Sequence, residues 1–178
     1  MTHEIILAGF GGQGVMLMGQ ILTYAGMLEN KHVSWMPSYG PEMRGGTANC
    51  TVVISDEPVG SPLVTNPGIV VAMNLPSMDK FEPAVKPGGV LLYNSSLIEQ
   101  QPGRTDISPV AVPANAIADE LGSGRIANMV VLGALLAKAP VVSMDAVRKA
   151  LRKALPVHRH NLLPLNEQAL ARGFESAK

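Results

Sequence analysis

The sequence predicts an α/β fold: a mostly parallel sheet flanked by helices, in a single domain spanning residues 1–178. Three observations carry this. Short, continuous apolar runs such as EIILAGF (4–10) and IVVAM (69–73) read as strands buried on both faces. Helical periodicity separates them for most of the length. The chain has 178 residues, 47% apolar and only 16% charged. A chain of that size buries roughly 70% of its unfolded surface, enough for one sizeable core.

The elements follow in order. EIILAGF is a first strand that ends in glycines. A helix is expected from about Gly14 to Leu28, because Val15, Met18, Ile21, Leu22 and Ala25 recur at spacings of three and four. HVSWMP (32–37) is a short second strand stopped by Pro37, and TANCTVVIS (47–55) a third. Residues 56–68 carry three prolines and two glycines and form a loop. IVVAM is the next strand. SMDKFEPAV (77–85) is expected as a short helix with Ser77 as its N-cap and Asp79 in its first turn. GGVLLYN, over about 89–95, and SPVAV (108–112) complete the sheet. ANAIADELG (114–122) is a short helix ended by Gly122. RIANMVVLGALLAKA (125–139) is apolar on nearly every side and reads as a buried helix. SMDAVRKALRKAL (143–155) is amphipathic, capped by Ser143, with cations in its later turns. A last helix runs from near Pro164 to Phe174.

Bulk properties exclude several classes. Fourteen basic residues balance fourteen acidic ones, and aromatics make up 4%. That leaves neither the basic field nor the stacking platform of a nucleic-acid binder, and no attraction to an anionic membrane. The longest apolar or glycine stretch, MVVLGALLA (129–137), is far short of a membrane span. The start, MTHEIILAGF, lacks the pattern of a signal peptide, so the expected location is the cytoplasm. The one cysteine, Cys50, cannot form an internal disulfide or an all-cysteine cluster. It reads as a buried strand thiol, with a reactive nucleophile as the alternative. His158 and His160 suggest a metal pair or, without carboxylate or cysteine neighbours, a surface or interface turn.

Residues 9–14, GFGGQG, place Gly9, Gly11 and Gly14 in the G-x-G-x-x-G spacing between a strand and a helix. Glycines there permit a tight turn and close backbone approach, and the helix start offers free N–H groups to an anion. Gly12 adds room. The Gln13 amide is placed to bond a ligand or to tie down the neighbouring loop. A dinucleotide site also needs an acid at the end of the second strand for the ribose hydroxyls. That strand ends in WMPSYG, with Glu29 before it and Glu42 well beyond it. Three readings stay open: a nicotinamide or flavin site, a site for another phosphate-bearing ligand, and a structural turn. Asn128, on the buried helix, bonds backbone or belongs to the site.

The second segment, PSYGPEMRGG (37–46), is not expected to be a regular element, because Pro37, Gly40 and Pro41 forbid a helix or a central strand and Gly45 and Gly46 turn the chain sharply. It reads either as a solvated loop in which Glu42 and Arg44 pair weakly, or, being long, irregular and close to a glycine-rich turn, as a place for function that includes Ser38 and Tyr39. Met36 precedes it and Met43 lies within it.

GFGGQG, the stretch SYGPEMRGGTANCTVVISDEPVGSP (38–62) and GRIANMVVLGALL (124–136) together resemble the gamma subunit of the 2-oxoacid:ferredoxin oxidoreductases, over about residues 3–175. The resemblance implies a Rossmann-like domain packed on other subunits. It implies a complex that oxidatively decarboxylates a 2-oxoacid to acyl-CoA and CO2 and passes electrons to ferredoxin. Thiamine diphosphate and the iron–sulfur clusters would lie on alpha, beta and ferredoxin-like delta subunits, and none would be held tightly by this chain. Coenzyme A would bind near shared surfaces. The resemblance nominates no catalytic residue here. The residues expected to line a cofactor site are Gly9, Gly11, Gly12, Gln13, Gly14, Ser38, Tyr39, Glu42, Arg44, Gly45, Gly46 and Asn128. An isolated chain could form a homodimer through the face meant for its partners. A stand-alone NAD(P)-binding reductase and a non-enzymatic nucleotide-sensing module are the alternatives.

Overall fold

A computed structural model describes residues 1–38 and 47–178. Six strands make one sheet: β1 (Thr2–Phe10), β2 (His32–Ser38), β3 (Thr47–Ser55), β4 (Ile69–Ala72), β5 (Val90–Asn94) and β6 (Ser108–Val112). Their order across the sheet is β2-β3-β1-β4-β5-β6. β1, β4, β5 and β6 pair in parallel, whereas β3 is antiparallel to both β1 and β2. Five strands therefore run one way and β3 alone runs against them, in agreement with the mostly parallel α/β expectation.

The helices are α1 (Val15–Leu28), α2 (Leu75–Phe81), α3 (Ala114–Glu120), α4 (Ala127–Lys138), α5 (Met144–Ala154) and α6 (Leu163–Ser176). They are divided unequally between the two faces of the sheet. Ile5, Leu7, Val52, Val71 and Leu92 point into the core shared with α1, α3, α4, α5 and α6. Their alternate neighbours, Ile6, Ala8, Val70, Leu91 and Tyr93, pack with α2 and with Val64, Val85, Ile98 and Ile107. The period of two along each strand sets this division. Burying each such Leu or Ile side chain stabilises the fold by about 1.5–3 kcal/mol.

Glycines let helices lie close. A Cβ at Gly19 of α1 would meet Cys50 Sγ at 2.6 Å and Trp35 Nε1 at 2.7 Å, and one at Gly26 would meet Val33 at 2.7 Å. α1 thus rests on β2 and β3 without a spacer. On α4 and α6 the approach is tighter. A Cβ at Gly133 would overlap the Leu170 carbonyl, and one at Gly173 the Val130 carbonyl.

Two elements depart from expectation. α2 begins at Leu75, not Ser77, and its cap is Asn74, whose side-chain oxygen accepts the Ser77 N–H at 2.9 Å. Pro76 needs no N–H in a first turn, so the helix starts ahead of it. β2 runs through Pro37 to Ser38. Among the described residues it is an edge strand, the place in a sheet where proline is tolerated. The other helices match within two residues at each end; Ser143 caps α5, accepting the Ala146 N–H at 3.1 Å, and Gly122 adopts φ 96° after α3.

Candidate functional site at the glycine loop

Neighbouring parallel strands β1 and β4 send their chains to opposite faces, β1 into α1 and β4 into α2. A crevice opens at the carboxyl ends of such a pair, and in α/β sheets ligands gather there. Gly9 to Gly14, Met73 and Asn74 meet at this point.

Gln13 fastens the crevice. Its Oε1 accepts the Phe10 N–H at 2.7 Å and the Asn74 side-chain amide at 3.1 Å, and its Nε2 donates to the Met73 carbonyl at 3.3 Å. Asn74 in turn caps α2. Gln13 therefore ties the end of β1, the end of β4 and the start of α2 together. Of its two sequence-stated roles, it is seen in the tying one.

Gly9 is buried against β4, where a Cβ would stand 2.9 Å from Met73 Cβ. Gly11 and Gly12 are exposed. Gly12 has φ 90°, and nothing lies within 4 Å of where its Cβ would be. Gly14, at φ 77°, is the N-cap of α1, and among the described residues no side chain caps that helix. Within those residues the first-turn N–H groups of α1 are open to an acceptor, as an anion site requires.

Asn128, in the first turn of α4, is only 5% exposed. Its Nδ2 donates to the Gly14 carbonyl at 3.3 Å, and its Oδ1 accepts the Met129 N–H at 3.0 Å. It bonds backbone, and the backbone is that of the glycine loop. A hollow of about 90 Å³ lies beside it, edged by Gly12, Gln13, Asn115 and Arg125. On the other flank of the loop Phe10, Met16, Leu17 and Ala48 line an apolar depression of about 300 Å³.

The register carries the two sequence motifs to one edge. Phe10 pairs with Thr47 and Ser38 with Asn49, so the chain leaves β2 and re-enters β3 at the carboxyl end of β1. Ser38 is exposed there. Tyr39, Glu42, Arg44, Gly45 and Gly46 lie outside the described residues.

The same topology removes the ribose acid. In a dinucleotide fold the second strand adjoins the first, and its terminal acid reaches the ribose. Here β3 stands between them, so the end of β2 is two strand spacings, about 10 Å, from β1. Glu29 lies at the far end of α1, which at 14 residues is about 21 Å long. Its carboxylate accepts the Ser143 N–H at 2.8 Å, at the start of α5.

The other candidates have structural places. Cys50 is buried, and desolvation raises its thiol to about 11. The Trp35 indole N–H, which has no oxygen or nitrogen partner, stands beside it. His158 is exposed, and His160 Nε2 lies 2.9 Å from the Leu155 carbonyl. Among the described residues no group of three His, Cys, Asp or Glu side chains could hold a metal ion. Another cleft, about 550 Å³, lies at the opposite end of the sheet, between His3, Lys31, Asp56 and Ser143. Its charged groups largely pair with one another, Lys31 with Asp56 above all, so the glycine edge is the better candidate. Sequence reasoning missed Asn74. The signal was available, since Asn-Leu-Pro-Ser ahead of an apolar run is a helix start.

A family model described as pyruvate ferredoxin/flavodoxin oxidoreductase matches residues 4–176. The chain belongs to this family. Its relatives come in two sizes. It is 41% identical over 177 residues to the ketoisovalerate oxidoreductase subunit VorA of Methanothermobacter marburgensis, covering 98% of this chain but only 36% of that protein. It is 39% identical to the 2-oxoglutarate synthase subunit KorC of Methanocaldococcus jannaschii, over all of this chain and 95% of that one. So the chain spans about a third of the length of the VorA-type relatives and nearly the whole of the KorC type. A crystal structure of the gamma subunit of a keto/oxoacid ferredoxin oxidoreductase from Geobacter sulfurreducens superposes with a TM-score of 0.86 at 34% identity, over 98% of both chains. Among the described residues no helix is long and apolar enough to cross a membrane.

Proposed function

We propose that this chain is the gamma-type subunit of a multisubunit 2-oxoacid:ferredoxin oxidoreductase, acting as one domain over residues 1–178 and inactive alone. The likeness over 98% of both chains to a protein described as such a gamma subunit carries the reading. The complex would convert a 2-oxoacid and CoA to acyl-CoA and CO2, with two electrons passed to ferredoxin. Thiamine diphosphate on alpha and beta subunits would supply the carbanion chemistry of decarboxylation, and iron–sulfur clusters outside this chain would carry the electrons. The partners are then alpha and beta subunits and a ferredoxin-like delta subunit, in the cytoplasm.

The chain's own part follows from its glycine edge. The start of α1, which no described side chain caps and which is open at Gly11 and Gly12, fits a phosphate of coenzyme A. Gln13, Gly9 and Asn128 hold that loop in shape. Ser38, Tyr39, Glu42, Arg44, Gly45 and Gly46 are assigned on sequence grounds. Arg44 is suited to a phosphate or to a carboxylate across a subunit boundary, with Glu42 orienting it.

The test is reconstitution. The chain, co-expressed with two thiamine-dependent subunits, should co-purify with them, and CoA-dependent reduction of ferredoxin should require it. Arg44→Ala should raise the KM for CoA, lower turnover or weaken assembly. If all three are unchanged, the assignment of residues 38–46 fails. Tight nicotinamide binding by the purified chain would favour a reductase instead.

A further inference from the structure

Just after α5 the chain makes a turn, Val157–Leu162, that joins it to α6. Residues 146–166 carry Arg148, Lys149, Arg152, Lys153 and Arg159, with His158 and His160, and no Asp or Glu. The whole chain is neutral, so this stretch is a local excess of positive charge. Lys149 pairs with Asp145, and Lys153 lies over the Tyr24 ring. Elsewhere arginines are engaged within the chain: Arg104 on Asp106 and the Val85 carbonyl, Arg172 on Glu120. Among the described residues no carboxylate pairs with Arg125, Arg148, Arg152 or Arg159.

The turn between α5 and α6, Val157–Leu162, buries none of its residues. Val157 is 82% exposed and Leu162 41%. The turn is nonetheless held in place. Asn166 Nδ2 donates to the Leu162 carbonyl at 2.8 Å, and His160 bonds the Leu155 carbonyl. Between this turn, the Ser123–Ile126 bend and the first turn of α1 runs a groove of about 330 Å³. Leu17, Ile126, Leu162 and Leu165 give it apolar walls, and Arg125 and Arg159 line it as well. A preformed apolar groove beside unpaired cations complements an apolar side chain flanked by carboxylates.

We propose that this groove docks an acidic segment of a partner subunit, with an apolar residue in the groove and carboxylates on Arg125 and Arg159. The proposal rests on the gamma-subunit reading. The exposed Val157 and the cations along α5 extend the surface beyond what one small anion would cover, which favours a protein segment.

The experiment compares assembly of the whole complex from wild-type and variant chains. Arg125→Glu/Arg159→Glu should weaken association with the other subunits about tenfold or more and flatten its salt dependence. Val157→Asp/Leu162→Asp should weaken it with little change in salt dependence. Lys80→Glu, on α2 at the other face of the sheet, should assemble as wild type. All four chains should melt as folded proteins, since the altered side chains are exposed. Unchanged assembly of both double variants overturns the docking site while leaving the subunit reading intact. Normal assembly with a raised KM for CoA in the arginine variant also overturns it, and makes the groove a small-anion site. Failure of the wild-type chain to associate at all would overturn both readings.

Discussion

The Asn128 side-chain amide donates to the carbonyl of Gly14 at 3.3 Å, joining the first turn of α4 to the first turn of α1 across more than a hundred residues of sequence. The contact leaves no room at Gly14. A Cβ there would overlap the Asn128 amide, and the residue already stands at φ 77°.

Gly14→Ala should therefore be costly for two reasons, conformation and overlap. The left-handed backbone alone costs a non-glycine residue about 1–2 kcal/mol, and displacing Asn128 adds to it. Gly12→Ala, at φ 90° in open space, should carry only the backbone part. Urea unfolding of both variants and of Gly14→Ala/Asn128→Ala checks this, with a coupling of about 0.5–3 kcal/mol expected between positions 14 and 128.

Gln13→Ala should cost about 1–3 kcal/mol, because it strands the partly buried Asn74 amide and the Met73 carbonyl. Hydrogen exchange should quicken at Phe10 and at Ser77, the ends of the tie. Exchange confined to Phe10 would mean that Asn74 caps α2 without help.

Gly133→Ala and Gly173→Ala should each destabilise by about 3 kcal/mol or more, the upper range for overpacking. The overlapping atoms are backbone carbonyls on the facing helix, which no rotamer change can move aside. Thermal melts of the two variants are the measurement.

Acid should weaken the opposite end of the sheet. The Lys31 ammonium, with the N-terminal amine, holds Asp56 down at about 2. A depressed carboxylate contributes its stability above its unfolded value of about 3.9 and loses it as pH falls through its folded value. Asp56→Asn should thus remove some of the stability lost between about pH 4 and 2, and salt should shrink the difference. Both groups are exposed, so the effect is small.

Much of this was legible before any coordinates. Continuous apolar runs marked β1, β4 and β5, and a spacing of three and four marked α1. Asn128 and Gln13 stand out in the sequence by their types and places. What stayed hidden was non-local. Nothing in TANCTVVIS says that β3 runs backwards between β1 and β2, since an antiparallel strand buried on both faces has the same apolar content as a parallel one. Pro37 reads as a stop because a sequence does not state which strand will be an edge. Gly19 and Gly26 look like poor helix residues until the strands beneath α1 are known. Arg125 and Arg159 are 34 residues apart and acquire meaning only when the α5–α6 turn returns to the start of α4.

The backward strand has a mechanical consequence. β2 has β3 as its sole neighbour in the sheet, and β3 joins the parallel strands through β1 alone. The hairpin is hinged on a single seam, and a local opening along it would swing both strands away together. Cys50 sits on that seam, opposite Leu7, buried under Gly19. Its thiol, inert while covered, would meet an alkylating reagent only when the seam parts. The rate of its modification would then time the opening of the arm.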